Sequence, residues 1–380
     1  MTKQKIIILT TVFVDVLGFG IVIPILPFYL GEFGASAFTI TLLFSIFSFC
    51  AFLSAPLLGA LSDRIGRRPI LLVSIFSTSL GWFVFASASS IPMLFAGRII
   101  DGLAAGNFTT AQSYLVDISK DEKERMTNLG IIGATFGIGF ILGPLFGGIL
   151  STVSHAFPFY AAGAMALTNA IIAFFILEES NTNRIKSRLI YSPIKPLLDA
   201  YHSRSLRPVY IVWFLFSMSF VIVQSIFALF SQRVFNFESF ETGIFFTSIG
   251  LVIAVNQLVL LNKFWTKRYT GKQLETIMLV FTIVGLLFIA SGNIILYYIS
   301  FLFIGTSQAI MRIVMSNKAI SKAEASRKGE IMGIMASMMT AAMVVGPILG
   351  GYLFEKKTWL PFIAGVLCSS GALIVSRKDK

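Results

Sequence analysis

GALSDRIGRRP, Gly59–Pro69, sets four charges (Asp63, Arg64, Arg67 and Arg68), two glycines and a proline between two long apolar runs. A charged hairpin this short must sit in water while both of its flanks are apolar enough for a bilayer. Gly66 permits the tight turn, and Pro69 suits the first turn of the helix that follows. Gly59 has no side chain, so a neighbouring helix can approach closely there. Asp63 belongs at the membrane surface, where the positive N-terminal end of a helix stabilises a carboxylate.

Outward from the hairpin, the rest of the chain has the same character. Of 380 residues, 56% are hydrophobic and only 13% charged, against about 25% charged in soluble domains. Twelve apolar segments begin near residues 5, 38, 69, 91, 128, 157, 207, 240, 273, 293, 329 and 358. The first is too long for a cleavable signal, carries Asp15 and lacks a small-residue cleavage site, so it counts as a membrane span. A polar stretch, Glu178–Arg207, divides six spans from six. The expected organisation is an N-terminal six-helix bundle over 1–178, a cytoplasmic linker over 179–206 and a C-terminal six-helix bundle over 207–380.

The formal net charge is +12, and its distribution argues against nucleic acid. Lys and Arg gather on alternate loops, leaving only Arg98, Arg233, Arg312, Lys356 and Lys357 elsewhere. The positive-inside rule then places both termini in the cytoplasm of a multi-pass protein, and the basic character suits anionic lipid. Cys50 and Cys368 fall inside apolar runs and suit packing better than a disulfide or metal site.

The two halves repeat. Gly143-Pro144 and Gly147-Gly148 close span five, and Gly346-Pro347 and Gly350-Gly351 close span eleven. Ile118-Ser119-Lys120 precedes the first set and Ile320-Ser321-Lys322 the second, in register within one residue. Matching sequence at matching places in two six-span halves marks a duplicated transporter with its substrate site between the halves.

Ionisable residues inside spans usually line a cavity or a proton path. Arg98 and Asp101 in span four are three apart and share one helix face. Asp15 in span one lies about ten residues from the cytoplasmic end, roughly 15 Å at helical rise. Asp101 lies as deep from the other surface, so both reach mid-membrane. A desolvated carboxyl holds its proton more readily and a nearby Arg releases it. A substrate cation or a helix shift that changed the Asp15–Arg98–Asp101 spacing would therefore exchange for a proton. A purely structural Arg98–Asp101 pair that pins helices together is the alternative.

These segments resemble a known family. The G-x-L-x-D-R-x-G-R-R pattern from Gly59 to Arg68 resembles the loop between helices 2 and 3 of the major facilitator superfamily. The Arg98-x-x-Asp101-Gly102 opening, Asn107, and the Gln112-x-Tyr114-x-x-Asp117 ending resemble the tetracycline-resistance-like branch of its drug/proton antiporters. Asp15, Gly18, Gly20 and Pro24 match the same branch. The glycines of span five (Gly130, Gly133, Gly137, Gly139, Gly143, Gly147 and Gly148, with Pro144) resemble a motif associated with antiporters. The resemblance implies an all-α integral membrane protein of twelve transmembrane helices in two pseudo-symmetric six-helix bundles. It implies proton coupling through Asp15, Arg98 and Asp101. It implies a cytoplasmic gating loop of Gly59, Asp63, Arg64, Gly66, Arg67 and Arg68, with Arg67 pairing to Asp117 and Asp63 facing the start of span eleven near Gly329 and Glu330. The second-half loop, around Lys263, Lys267, Arg268 and Gly271, has lost the Asp and the spacing, so a one-sided latch is expected.

Interdomain helix packing is assigned to Gly139, Gly143, Pro144, Gly147, Gly148, Gly346, Pro347 and Gly350, whose small residues give a smooth face for a helix of the other half. Generic close packing would use the same glycines. The expected substrate cavity comprises Phe19, Asn107, Gln112, Phe220, Gln224, Met335 and Met339; flexible thioethers suit varied apolar ligands, and ordinary packing or lipid contact would also place such side chains. No phosphate loop, nucleophile elbow or metal cluster is present in the sequence, so no enzyme, cofactor or metal is expected. The expectation is a monomeric exporter of small amphipathic compounds in a bacterial-type cytoplasmic membrane, driven by inward proton flow. A carrier of one metabolite or lipid-linked sugar with the same fold is the rival.

Overall fold

Within a bilayer, backbone N–H and C=O groups find no water, so each must be satisfied inside the protein, and a chain without closed barrels does this as helices. The computed structural model describes residues 2–181, 194–203, 205–322 and 327–378; much of the expected linker, 182–193 and residue 204, lies outside them. The helices are α1 (Lys3–Gly31), α2 (Ala37–Ile65), α3 (Arg67–Ala86), α4 (Ile91–Leu103), α5 (Asn107–Asp117), α6 (Glu122–Ser151), α7 (Phe157–Ile176), α8 (Lys195–His202), α9 (Arg207–Phe235), α10 (Ser239–Arg268), α11 (Gly271–Ala290), α12 (Ile294–Ser321), α13 (Lys328–Lys356) and α14 (Leu360–Lys378). Among the described residues eleven of these are long and apolar enough to cross a membrane. The twelfth crossing is the broken pair α4 and α5.

Local sequence explains where the helices begin. Thr2 and Asp121 cap α1 and α6 through their side-chain oxygens, and Thr270 with Gln273 forms a reciprocal capping box on α11. Proline stands in the first turn of α4, α7, α8 and α9, where its missing N–H costs nothing. The break in span four follows from Gly102 and Gly106, both poor helix formers, which let α2 come close. A Cβ at Gly102 would stand 2.7 Å from the Cys50 Cβ, and one at Gly106 would stand 2.8 Å from the Leu58 Cβ. Carbonyls near the break find side-chain donors: Ser54 donates to Gly102 O at 2.8 Å and Ser77 to Ile100 O at 3.0 Å.

The chain forms two compact units. One comprises Met1–Ala35, Ile46–Pro193 and Glu238–Thr247; the other comprises Ser36–Ser45, Ile194–Phe237 and Ser248–Lys380. In the first, α1 packs on α6 and α7, and α3 packs on α4 and α7. In the second, α9 packs on α13 and α14, and α11 packs on α12 and α14. Counted as spans, the four pairings 1–5, 1–6, 3–4 and 3–6 recur as 7–11, 7–12, 9–10 and 9–12. The duplication seen in the Gly-Pro motifs is therefore a duplication of packing.

Span eight departs from the regular pattern. From Asn256 to Trp265 its turns widen to a π-helix, a form usually confined to single turns. Asn256 anchors the segment: its amide donates to Thr306 Oγ1 at 3.1 Å, and its carbonyl accepts from Trp265 Nε1 at 2.9 Å.

Candidate functional site

Four helices of the first unit, making up spans one, three and four, bring its intramembrane polar residues into one chain. Arg98 on α4 is 2% exposed and donates through Nη1 to Asp101 Oδ2 at 3.2 Å. Its guanidinium lies 4.3 Å from the Phe47 ring centroid, 5.2 Å from Trp82 and 6.0 Å from Phe85. Delocalised charge on aromatic faces offsets part of the desolvation that burial imposes. Thr78 on α3 touches Asp101 through its hydroxyl and accepts from Asn107 Nδ2 at 3.3 Å. The same amide donates to Asp15 Oδ1 on α1 at 3.0 Å. The order is thus Arg98, Asp101, Thr78, Asn107, Asp15.

Close backbone approach makes this possible. A Cβ at Gly81 would stand 2.9 Å from the Asp101 Cβ, and one at Gly97 would stand 2.8 Å from Gly81 O. The break before Asn107 places that residue first in α5 and turns its amide toward α1. Thr78 and Trp82 carried no signal in the sequence, since a hydroxyl and a ring in an apolar span look like ordinary packing.

At the cytoplasmic hairpin Arg67 is the hub. Its Nη1 lies 2.5 Å from Asp63 Oδ1 and 2.6 Å from Ser62 Oγ, and its Nε donates to Asp117 Oδ2 at 3.0 Å. Gly66 adopts φ +120°, a backbone region that side chains rarely tolerate. A Cβ there would also collide with the Glu179 carboxylate. Glu179 accepts from the amides of Arg67 at 2.8 Å and Arg68 at 3.2 Å, capping α3 with the charge its N-terminus favours. Asn181 donates to Asp63 O at 2.9 Å and Ser180 to Asp117 Oδ2 at 3.2 Å. The segment after span six is therefore built into the hairpin, which no local spacing foretold. Arg68 donates to Phe174 O at 2.7 Å, and Arg64 is exposed. Among the described residues no atom lies within 4 Å of where a Cβ on Gly59 would stand, so none of them makes the close approach expected there. Glu330 engages Arg327 on its own helix end at 2.9 Å.

The glycine stripe of span five packs mostly inside its own bundle, a correction to its assignment to the opposite half. A Cβ at Gly139 would stand 3.1 Å from the Val16 Cβ, at Gly143 2.8 Å from the Gly20 Cα, and at Gly147 3.3 Å from the Ile21 Cα, all on α1. Gly148 instead faces Phe240 and Gly243 on α10, where Pro144 O also approaches Gly243. The second unit repeats the arrangement: Gly346 and Gly350 meet Val221 and Ile222 on α9, and Gly351 meets Phe38 on α2. Pro144 and Pro347 are buried within unbroken helices. The reason is geometric: residues three and four apart share one helix face, and that face is taken by the first helix of the same bundle.

The expected cavity residues divide. Phe19, Gln112, Phe220, Gln224 and Met339 are half-buried, and Asn107 is buried in the polar chain. Met335 is a core residue, packed among α9, α11 and α12 and accepting from Trp213 Nε1 at 2.9 Å through its carbonyl. Among the described residues no group of acidic, His and Cys side chains is placed to hold a metal.

Twelve crossings, a duplicated packing scheme and a charged hairpin tied to the end of span four define a transporter fold. The sequence profile of the Major Facilitator Superfamily matches residues 8–323, and the chain belongs to that family. It is 26% identical to a tetracycline resistance protein, class C, of Escherichia coli, covering 95% of this chain and 93% of that one. It is 26% identical to multidrug resistance protein 2 of Bacillus subtilis (strain 168), covering 96% and 92%. Among solved structures it is similar in fold to the human organic anion transporter MFSD10, with TM-score 0.71 at 22% identity over 99% of each chain. It is a membrane transporter and not an enzyme.

Proposed function

We propose that the chain is a proton-coupled exporter of small amphipathic compounds, working by alternating access in a bacterial-type cytoplasmic membrane with both termini inside. The observation that carries this reading is the Asp15–Asn107–Thr78–Asp101–Arg98 chain. It links spans one, three and four at the depth expected from the sequence to be mid-membrane, where an ionisable group without function would be costly. Ionised, Asp15 accepts a hydrogen bond from the Asn107 amide. Protonated, it becomes a donor, and the buried Asn107 Oδ1, which has no hydrogen-bond partner among the described residues, supplies the acceptor. One amide thus serves both protonation states by turning, and its turn is felt at α5, whose far end is Asp117 at the hairpin. Arg98 keeps Asp101 paired meanwhile. The relatives named for tetracycline and multidrug resistance support export as the direction.

Proteoliposomes with an imposed pH gradient test this directly. Tetracycline, a quinolone and ethidium would be offered, with proton release and dye accumulation as readouts. Proton release coupled to several of them, abolished in Asp15→Asn, is expected. Transport of a single tight ligand would instead mark a dedicated carrier of a metabolite or lipid-linked sugar. A panel in which nothing moves and no protons are released would overturn the reading.

A further inference from the structure

The second unit contains an ion pair whose carboxylate is buried and whose ammonium is half-buried. Glu275, the fifth residue of α11, is 0% exposed, and its Oε2 lies 2.7 Å from Lys318 Nζ, near the end of α12. These helices are spans nine and ten. Their counterparts in the first unit, spans three and four, are joined at the same ends by Arg67 and Asp117. The pair in the second unit lies about one turn deeper, and its polarity is reversed: the acid is now on the odd-numbered span and the base on the even-numbered one.

The reversal has an electrostatic consequence. A helix N-terminus favours an anion and a C-terminus a cation. Glu275 near the start of α11 and Lys318 near the end of α12 both agree with that rule. Arg67 at the start of α3 and Asp117 at the end of α5 both oppose it, which is why Glu179 is needed at α3. The acids of the first clasp are also wetter: the Asp63 side chain is 40% exposed and that of Asp117 24%, against 0% for Glu275, while the bases are similar, Arg67 10% and Lys318 19%. Its hub divides one guanidinium among Asp63, Asp117 and Ser62. Glu275 offers no such exchange. Among the described residues its buried Oε1 has no hydrogen-bond partner, so withdrawing Lys318 would strand a dry carboxylate.

We propose that Glu275 and Lys318 are positioning residues that pin spans nine and ten together throughout the transport cycle, unlike the gating loop of Arg67 and Asp117 that the family resemblance implies. This rests on the transport reading above for its functional half only.

Amide hydrogen exchange of the whole protein, read over residues 271–279 and 314–321, tests the pin without any cargo. Glu275→Gln and Lys318→Gln are expected to raise exchange at least tenfold in both segments. Exchanging the charges, Glu275→Lys with Lys318→Glu, should return it to within threefold. If the neutral variants do not fold, Glu275→Asp keeps the charge and withdraws it by one methylene; exchange like that of the parent would then overturn the pin. Adding tetracycline at saturating concentration should change exchange over 62–68 and leave 271–279 unchanged; an equal change in both segments overturns permanence. In proteoliposomes, Lys318→Gln should lower maximal tetracycline transport tenfold with KM within twofold, and the charge exchange should restore it. If exchange behaves as expected but the parent protein moves nothing, the transport reading falls and the pin stands. If the neutral variants keep their protection, the pin falls whatever the transport result.

Discussion

The side-chain amide of Asn107, first residue of α5, donates to the Asp15 carboxylate of α1 across 3.0 Å. That contact joins α1 to α5 beside α3, whose Thr78 accepts from the same amide. It exists because the helix of span four stops at Leu103 and restarts at Asn107. An unbroken helix would carry position 107 round to another face.

Replacing Asn107 with Leu removes both the donor for ionised Asp15 and the acceptor for its protonated form. Drug-dependent proton release in proteoliposomes is expected to fall at least tenfold. Asn107→Gln, which keeps both groups on a longer arm, should retain more activity than Asn107→Leu. Equal activity in all three proteins would remove Asn107 from the coupling path.

Arg98 sets its guanidinium 4.3 Å, 5.2 Å and 6.0 Å from the ring centroids of Phe47, Trp82 and Phe85 while pairing with Asp101. Arg98→Ala leaves Asp101 buried without its partner, a loss on the order of 3–5 kcal/mol. Arg98→Lys keeps the charge but not the delocalised guanidinium beside the rings, and about 1–2 kcal/mol should be lost. Thermal unfolding in detergent should therefore rank parent above Lys above Ala. A Lys variant as stable as the parent would show that the ring contacts contribute nothing.

The glycines of α6 divide by what they face. Gly143→Ala forces a Cβ within 2.8 Å of the Gly20 Cα and the Leu17 carbonyl, and backbone on both sides leaves no side chain to move aside. About 1–3 kcal/mol of destabilisation follows from overpacking of this kind. Gly137 and Gly130 have no atom within 4 Å of a Cβ, so Ala at either should change the melting temperature little. Folded yield and melting temperature of the three variants decide the matter. A tolerant Gly143 together with an intolerant Gly137 would contradict the packing described.

Glu179 caps α3 through two amides. Glu179→Ala should cost about 1–2 kcal/mol, the range for lost helix caps. Hydrogen exchange should rise at the first turn of α3 and leave α11 untouched. Unaltered protection at Arg67 and Arg68 would mean that the cap is dispensable.

Long apolar runs, alternating basic loops and the doubled Gly-Pro motif make the twelve crossings and the two-fold repetition legible along the chain, because each is a local or periodic property. Arg98 and Asp101 are legible as neighbours because helical spacing alone sets them on one face. The glycine stripe is legible as a close-packing face, yet not as a face for α1, since periodicity says that a helix is near without saying which one. Glu275 stayed hidden because it stands one turn inside an apolar run, and its base lies 43 residues away.

Thus hydropathy and charge order, both one-dimensional, were sufficient for the membrane fold, and the motifs from Gly59 to Arg68 and from Arg98 to Asp117 for the resemblance to the family. Contacts between residues far apart in the chain came only with tertiary packing. These are Asn107 with Asp15, Glu179 with the start of α3, and Lys318 with Glu275. Each depends on where a helix breaks or ends in space, and that is set by which neighbours approach closely enough to satisfy the freed backbone and the buried charge.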